Sequence, residues 1–121
     1  MGNPFGVNKH DEGGGVVRMT VTGYLDEDTS AGLTSLVLNA VQQPGVIDVV
    51  VDLEHVTFLA AGGVGALLRG RDAALEHGCG HRVVNAFGIV CQVLAATGAT
   101  EILQVPSALR RPEAFIARAG G

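Results

Sequence analysis

An α/β domain built on a mixed sheet is the fold class this sequence predicts, and three observations carry the expectation. Val46-Ile47-Asp48-Val49-Val50-Val51-Asp52-Leu53 is almost entirely β-branched, which reads as a central strand covered on both faces. Apolar stripes at helical spacing alternate with further strand candidates along the chain. Near the start, Gly13-Gly14-Gly15 supplies the positive φ that a hairpin turn needs between two strands. A chain of 121 residues fits one domain, spanning 1–121 with its core over about 5–118.

Taken in order, a short first strand is expected around Phe5 to Lys9, then a second from Val16 to Thr22 that Gly23 ends. Asp26-Glu27-Asp28-Thr29 opens the first helix. Acidic residues suit its positive end, and Asp28 or Thr29 is the expected cap. Leu33, Leu36, Val37, Ala40 and Val41 form its buried stripe, and Pro44-Gly45 stops it. The β-branched run follows as the central strand, then a loop over Ala60–Gly63. Val64, Leu67, Leu68, Ala74 and Leu75 mark the second helix, with Gly70 inside it as a point of close packing. His77-Gly78 is its stop. A strand from about His81 to Asn85 precedes a third helix, marked by Val90, Val93, Leu94 and Thr97 and ended by Gly98. Ile102 to Val105 is expected as a fourth crossover strand. Pro112 reads as the first residue of a last helix, with Phe115 and Ile116 facing in. The expected order is β-β-α-β-α-β-α-β-α, with parallel pairing across the short crossovers.

Bulk properties narrow the function. The formal net charge is −4, and the eight basic residues are scattered, which argues against a nucleic-acid partner. The first residues show no basic start followed by an apolar run, and no segment approaches the ~18 apolar residues of a membrane span. A cytoplasmic protein is expected. Cys79 and Cys91 lack the partners of a zinc site, and the intervening strand holds them too far apart for a disulfide. Cys91 reads as a buried apolar residue and Cys79 as a semi-exposed thiol, so a redox role is the only chemistry open to the pair. His10, His55, His77 and His81 have no metal-binding spacing, so no metal or cofactor is expected. Asp26, Asp28, Asp52 and Glu54 have no nucleophile or oxyanion-stabilising group beside them, so an enzyme is not expected.

The most informative stretch is Asp52 to Leu68. It reads as a strand end, a loop and a helix opening on a glycine pair, a place where free N–H groups and a positive helix end face outward. Gly62-Gly63-Val64-Gly65 fails as a phosphate loop, because no Lys-Ser/Thr follows and Ala66 and Leu68 stand where a dinucleotide fingerprint needs glycine. Ala60 to Gly65 carries no hydroxyl, carboxylate or imidazole. Shape and backbone, rather than side-chain chemistry, are what this bend offers.

Several motifs in order resemble STAS domains (sulfate transporter and anti-sigma factor antagonist). They are Gly23-Tyr24-Leu25-Asp26 after a strand, Val49-Val50-Val51-Asp52-Leu53, Val56-Thr57-Phe58-Leu59 and Gly63-Val64-Gly65-Ala66-Leu67-Leu68. Gly78, Asn85 and Val93-Leu94-Ala95-Ala96-Thr97-Gly98 add to them. The resemblance implies an anti-sigma factor antagonist whose partner is an anti-sigma factor of the GHKL-kinase type. In that family a kinase phosphorylates the first serine of an Asp-Ser-Ser/Thr-Gly loop, and the antagonist then lets go. Aligning on Phe58-Leu59 and Gly63 puts Ala60 at the Asp, Ala61 at the phosphorylated Ser and Gly62 at the second hydroxyl. Ala61 cannot take a phosphate, so the expected regulator binds without phosphorylation control there, with Thr57 as a second phosphoacceptor candidate. The expected partner-binding residues are Asp26, Thr57, Phe58, Ala60, Ala61, Gly62, Gly63, Val64 and Arg69, on the loop 57–63 and the helix after it. Alternatives are a STAS scaffold subunit of an ABC-transporter or signalling assembly, and a small-ligand sensor. A homodimer stays open.

Overall fold

In the computed structural model, residues 5–105 are described. Strands β1 (Phe5–Gly13) and β2 (Val16–Leu25) form the hairpin, followed by α1 (Glu27–Val41), β3 (Asp48–Leu59), α2 (Ala61–Glu76), β4 (Gly80–Val84), α3 (Gly88–Ala96) and α4 (Ala99–Leu103). The four strands lie in the order β1-β2-β3-β4. The hairpin is antiparallel, and both later pairings are parallel, as short helical crossovers require. The predicted last helix from Pro112 lies outside the described residues.

The core follows the pleat. Val17, Met19 and Val21 of β2 are buried together with Val49, Val51 and Leu53 of β3 and Val83 of β4. Leu33, Val37 and Ala40 of α1, Leu67 and Ala74 of α2, and Val90 and Leu94 of α3 complete the same cluster. Gly70 lets α2 approach α1: a Cβ there would stand 3.4 Å from Val37 Cγ2. Leu36 and Leu75, assigned to buried stripes from spacing alone, are exposed, because each lies at the margin of its helix's packed face.

Several element boundaries depart from the sequence expectation, beginning with β1, which runs to Gly13 rather than Lys9, and β3, which starts at Asp48 rather than Val46. β2 continues through Gly23, where φ is +86°, to Leu25, and the cap of α1 is Asp26 rather than Asp28 or Thr29. Its carboxylate accepts from the N–H groups of Asp28 (3.0 Å) and Thr29 (3.3 Å), while the Thr29 hydroxyl accepts from the N–H of Asp26, a reciprocal capping box. β3 runs six residues beyond Leu53, to Leu59, so His55 is a strand residue and not a loop one. Two register shifts against β2 let it absorb the extra residues as bulges. The second helix starts at Ala61, which shrinks the predicted loop to Ala60 alone. Finally, Ile102 to Val105 is not a strand. Ala99 and Leu103 are buried one helical turn apart, Ile102 is exposed, and left-handed Gly98 and Gln104 bracket a short helix.

Both cysteines are free and buried, which corrects the expected semi-exposed Cys79. Its thiol donates to the carbonyl of Val46 at 3.3 Å. A buried sulfur held in this way has little access to a redox partner, so the thiol chemistry left open by the sequence loses its surface.

On the other face of the sheet, buried Asp52 gathers three donors. Arg18 Nη2 lies 2.7 Å from Oδ2, and the Asn85 side-chain amide (3.1 Å) and the Glu54 N–H (2.9 Å) donate to Oδ1. Burial alone raises the Asp52 pKa. The Glu54 amide, the hydrogen bonds from Arg18 and Asn85, and the Arg18 charge outweigh it, and the net shift is downward. Asp52 thus ties β2, the β3 bulge and the turn after β4 into one unit. Asn85 holds φ at 61° to reach it.

His81 is the opposite case. Both ring nitrogens are buried without a hydrogen-bond partner among the described residues. Burial, then the Arg71 charge, push its pKa down to about 4, with Asp48 opposing. The unfolded chain therefore binds this proton at higher pH than the native state does. The stabilisation is complete above the ordinary histidine value and is lost as pH falls from there towards about 4. Acidification from about pH 7 to about pH 5 is expected to remove roughly 2 kcal/mol through this residue. Urea denaturation at both pH values checks it, with His81→Leu flattening that part of the pH dependence.

Candidate functional site

The site is assembled where β2 and β3 end side by side. Leu25 and Leu59 are cross-strand neighbours and both are buried, which fixes the exits of the two strands. From Leu25 the chain enters α1 through the Asp26 cap. From Leu59 it enters α2 through Ala60, whose N–H donates to the Leu25 carbonyl at 3.1 Å. The starts of two helices are thereby held against each other at one end of the sheet.

The glycine pair makes this approach possible. A Cβ on Gly62 would overlap the Glu27 carboxylate and stand 2.8 Å from Glu27 Cα. On Gly63 it would overlap the Leu25 carbonyl and stand 2.9 Å from Leu59 Cδ1. Close packing explains the pair, and neither residue is spared for ligand phosphates. Gly63 is buried, and so is Val64, whose N–H closes the first turn on the Ala60 carbonyl at 3.0 Å. These two expected contact residues are corrected: they hold the site together and present no surface to a partner.

The remaining expected residues do share one region. Ala61 is exposed, and Ala60 and Gly62 are half-buried. Ala60 caps α2 with extended backbone and no side-chain hydrogen bond. The first amides of α2 lack intrahelical acceptors by construction, and the positive helix end is concentrated there. The Glu27 carboxylate stands beside Gly62, a placement that sequence spacing could not reveal because it depends on how α1 and α2 meet. Asp26 is half-buried and spends Oδ1 on its own helix cap. Arg69 is exposed, and its guanidinium folds back over Gly65, with Nη1 3.0 Å from where a Cβ at 65 would stand.

Beside the bend stands an aromatic pair. Phe58 is 48% exposed and Tyr24 42%, with ring centroids 5.6 Å apart and planes tilted by 59°. Two large rings left that open at a strand end are an adhesive feature, since aromatics carry much of the energy of protein contacts. Phe58 was expected and Tyr24 was not. Continuing the β2 alternation past Gly23 would have pointed Tyr24 outward, next to Phe58. Thr57 is exposed on the same strand.

The region holds no clustered donors for a metal: no three His, Cys, Asp or Glu among the described residues come together. A depression of about 360 Å³, lined by Lys9, Asp11, Gly45 and Val46 among others, lies at the far end of the sheet, away from this region. No helix among the described residues is long and apolar enough to cross a membrane.

The glycine geometry makes a contrast that stability measurements can read. Gly63→Ala is expected to cost roughly 2–3 kcal/mol, because backbone has to move aside. Gly70→Ala is expected to be neutral or to stabilise by up to about 1 kcal/mol, since its Cβ would meet Val37 at ordinary contact and the helix gains propensity. Chemical denaturation of both variants checks the pair.

Comparison with known proteins fits this architecture. An anti-sigma factor antagonist from Mycobacterium paratuberculosis matches with a TM-score of 0.70 at 22% identity, over 97% of this chain and 95% of that one. The anti-sigma factor antagonist SpoIIAA in its unphosphorylated form matches at 0.69 and 19%, over 96% and 97%. A sulfate transporter family protein from Wolinella succinogenes matches at 0.65 and 16%, over 88% and 85%. At these identities the likeness establishes the shared fold. No curated protein matches in sequence. The family described as "Mlab, STAS domain" matches residues 9–105, and with most of its length covered, this chain belongs to the STAS-domain family.

Proposed function

We propose that this protein is an anti-sigma factor antagonist that binds an anti-sigma factor of the GHKL-kinase type, with no phosphorylation control at position 61. The reading rests on one observation above the others: a bend without hydroxyls at Ala60-Ala61, with Ala61 exposed, at the start of α2 and beside the open Tyr24–Phe58 pair. The docking surface comprises Tyr24, Thr57, Phe58, Ala60, Ala61, Gly62 and Arg69, with Asp26 holding its rim in place. A small neutral bend admits close approach of a partner's backbone, and the rings supply apolar contact. A phosphate at this point would add about two negative charges to that surface. Ala61 has no oxygen to accept one, so binding is constitutive and its control lies elsewhere.

A second reading is a scaffold subunit of a transporter assembly. It is favoured by the match to a sulfate transporter family protein, which has the same fold.

Calorimetric titration with an anti-sigma factor and, separately, with a transporter ATPase subunit decides between the two. The first reading expects saturable binding to the anti-sigma factor that Phe58→Ala weakens at least about tenfold while barely altering stability, as the ring is half exposed. Kinase and ATP should leave that affinity unchanged and Ala61 unmodified by mass spectrometry. Binding only to the ATPase would move the protein to the second reading, and a phosphate on Thr57 that abolishes binding would overturn the constitutive one.

A further inference from the structure

At the other side of the sheet, β1 is an edge strand whose second edge meets no strand among the described residues. Its first half leans on the body of the domain: Phe5, Gly6 and Val7 are half-buried, and Phe5 reaches α1 at Gly32. From Asn8 onwards every residue of the strand is exposed. A bare edge of this kind is ready to pair with another strand, and charges along it normally prevent that. Here the charges have a particular order.

Lys9 lies opposite Met19 and Asp11 opposite Val17, both buried residues of β2, so Lys9 and Asp11 share one face of the sheet. Asn8 and His10, opposite Thr20 and Arg18, share the other. Neither Lys9 nor Asp11 takes part in an ion pair among the described residues, although Asp11 Oδ1 accepts from the Gly13 N–H at 2.9 Å.

Two copies of one strand that pair antiparallel are related by a two-fold axis perpendicular to the sheet, and that axis sets one residue opposite itself. Centring on Lys9 opposes two lysines, and centring on Asp11 opposes two aspartates. Centring on His10 sets Lys9 of each copy directly opposite Asp11 of the other, on the same face, so two opposite-charge pairs form at once. We infer that a second copy of this chain is the occupant of the β1 edge, joined through an antiparallel β1–β1 pairing centred on His10 into one continuous sheet of two domains. The charges that repel other strands then select a copy of the same strand in one register.

The pairing engages the end of the hairpin near Gly13, whereas the Ala60–Ala61 bend lies at the opposite end of β2. The dimer leaves both docking ends free and points them in opposite directions. This inference does not depend on which partner binds there.

Sedimentation equilibrium of the full chain over a concentration series tests it. The expected result is a reversible monomer–dimer equilibrium in which Lys9→Glu and Asp11→Lys each weaken association by roughly tenfold or more, through two like-charge contacts. The double variant Lys9→Glu/Asp11→Lys restores association, because the swapped charges again face their opposites. In a His10→Cys variant the two thiols oppose each other across the axis, and mild oxidation cross-links the dimer. A chain that stays monomeric, a dimer indifferent to both reversals, a double variant without rescue, or a dimer that His10→Cys does not cross-link would each overturn the inference. All three positions are exposed, and circular dichroism verifies that each variant is folded.

Discussion

The contact between the first turn of α2 and the junction of β2 with α1 shapes the end of the sheet where β2 and β3 terminate. Two glycines without Cβ atoms let that turn rest on the Leu25 carbonyl and the Glu27 backbone. Their absence of side chains lets α2 start against this junction with Ala61 exposed, while the β2–β3 register sets Phe58 opposite Tyr24. A larger residue at 63 would push α2 off the sheet and separate the two helix ends. The exposed bend is therefore a product of packing beneath it. The residue that meets solvent, Ala61, is chemically inert, and the residues that position it are buried.

A second constraint works from the opposite face. Asp52 is a buried carboxylate, costly on its own, and it is kept charged by Arg18, Asn85 and the Glu54 amide. The last of these accompanies the bulge that lengthens β3. The carboxylate satisfies a backbone donor beside the irregularity and anchors neighbouring elements on either side. The strand can thus depart from regular pairing and still deliver Leu59 opposite Leu25. His81 shows what burial without partners does: its imidazole is driven to the neutral form, and acid stability is the quantity affected.

The match with STAS domains and the residue-level geometry bear on different questions. Family membership carries the fold and a general expectation of regulatory contact. The hydroxyl-free bend and the ordered charges of β1 are read from this chain's own residues. Under the proposed function the first bears on how a partner is held, and under the inferred β1 pairing the second bears on how many docking ends a dimer presents.

Much was legible from one dimension. The β-branched run at 46–53, the glycine turn, the helical stripes and the stops at Pro44-Gly45, His77-Gly78 and Gly98 identify most elements, because periodicity and turn chemistry act locally. The absence of hydroxyls over Ala60 to Gly65 was equally legible as a fact of composition, whereas the expected loop was too long, since only Ala60 lies between β3 and α2. What local pattern could not supply is anything decided by a distant neighbour. The extension of β3 to Leu59 depends on bulged pairing with β2, and Ile102 to Val105 has strand-like residues, yet its first residues finish a short helix because that conformation buries Ala99 and Leu103 together in the core. Leu36 and Leu75 satisfy helical spacing and still face solvent, because spacing names a face without saying how wide the packed part is. The sequence by itself determined the order of elements through α3 and the absence of hydroxyls at the bend. Only the tertiary structure decided that Gly63 and Val64 are buried supports, that Tyr24 joins Phe58, and that Glu27 borders the start of α2. Each of those depends on two segments far apart in the chain meeting at contact distance.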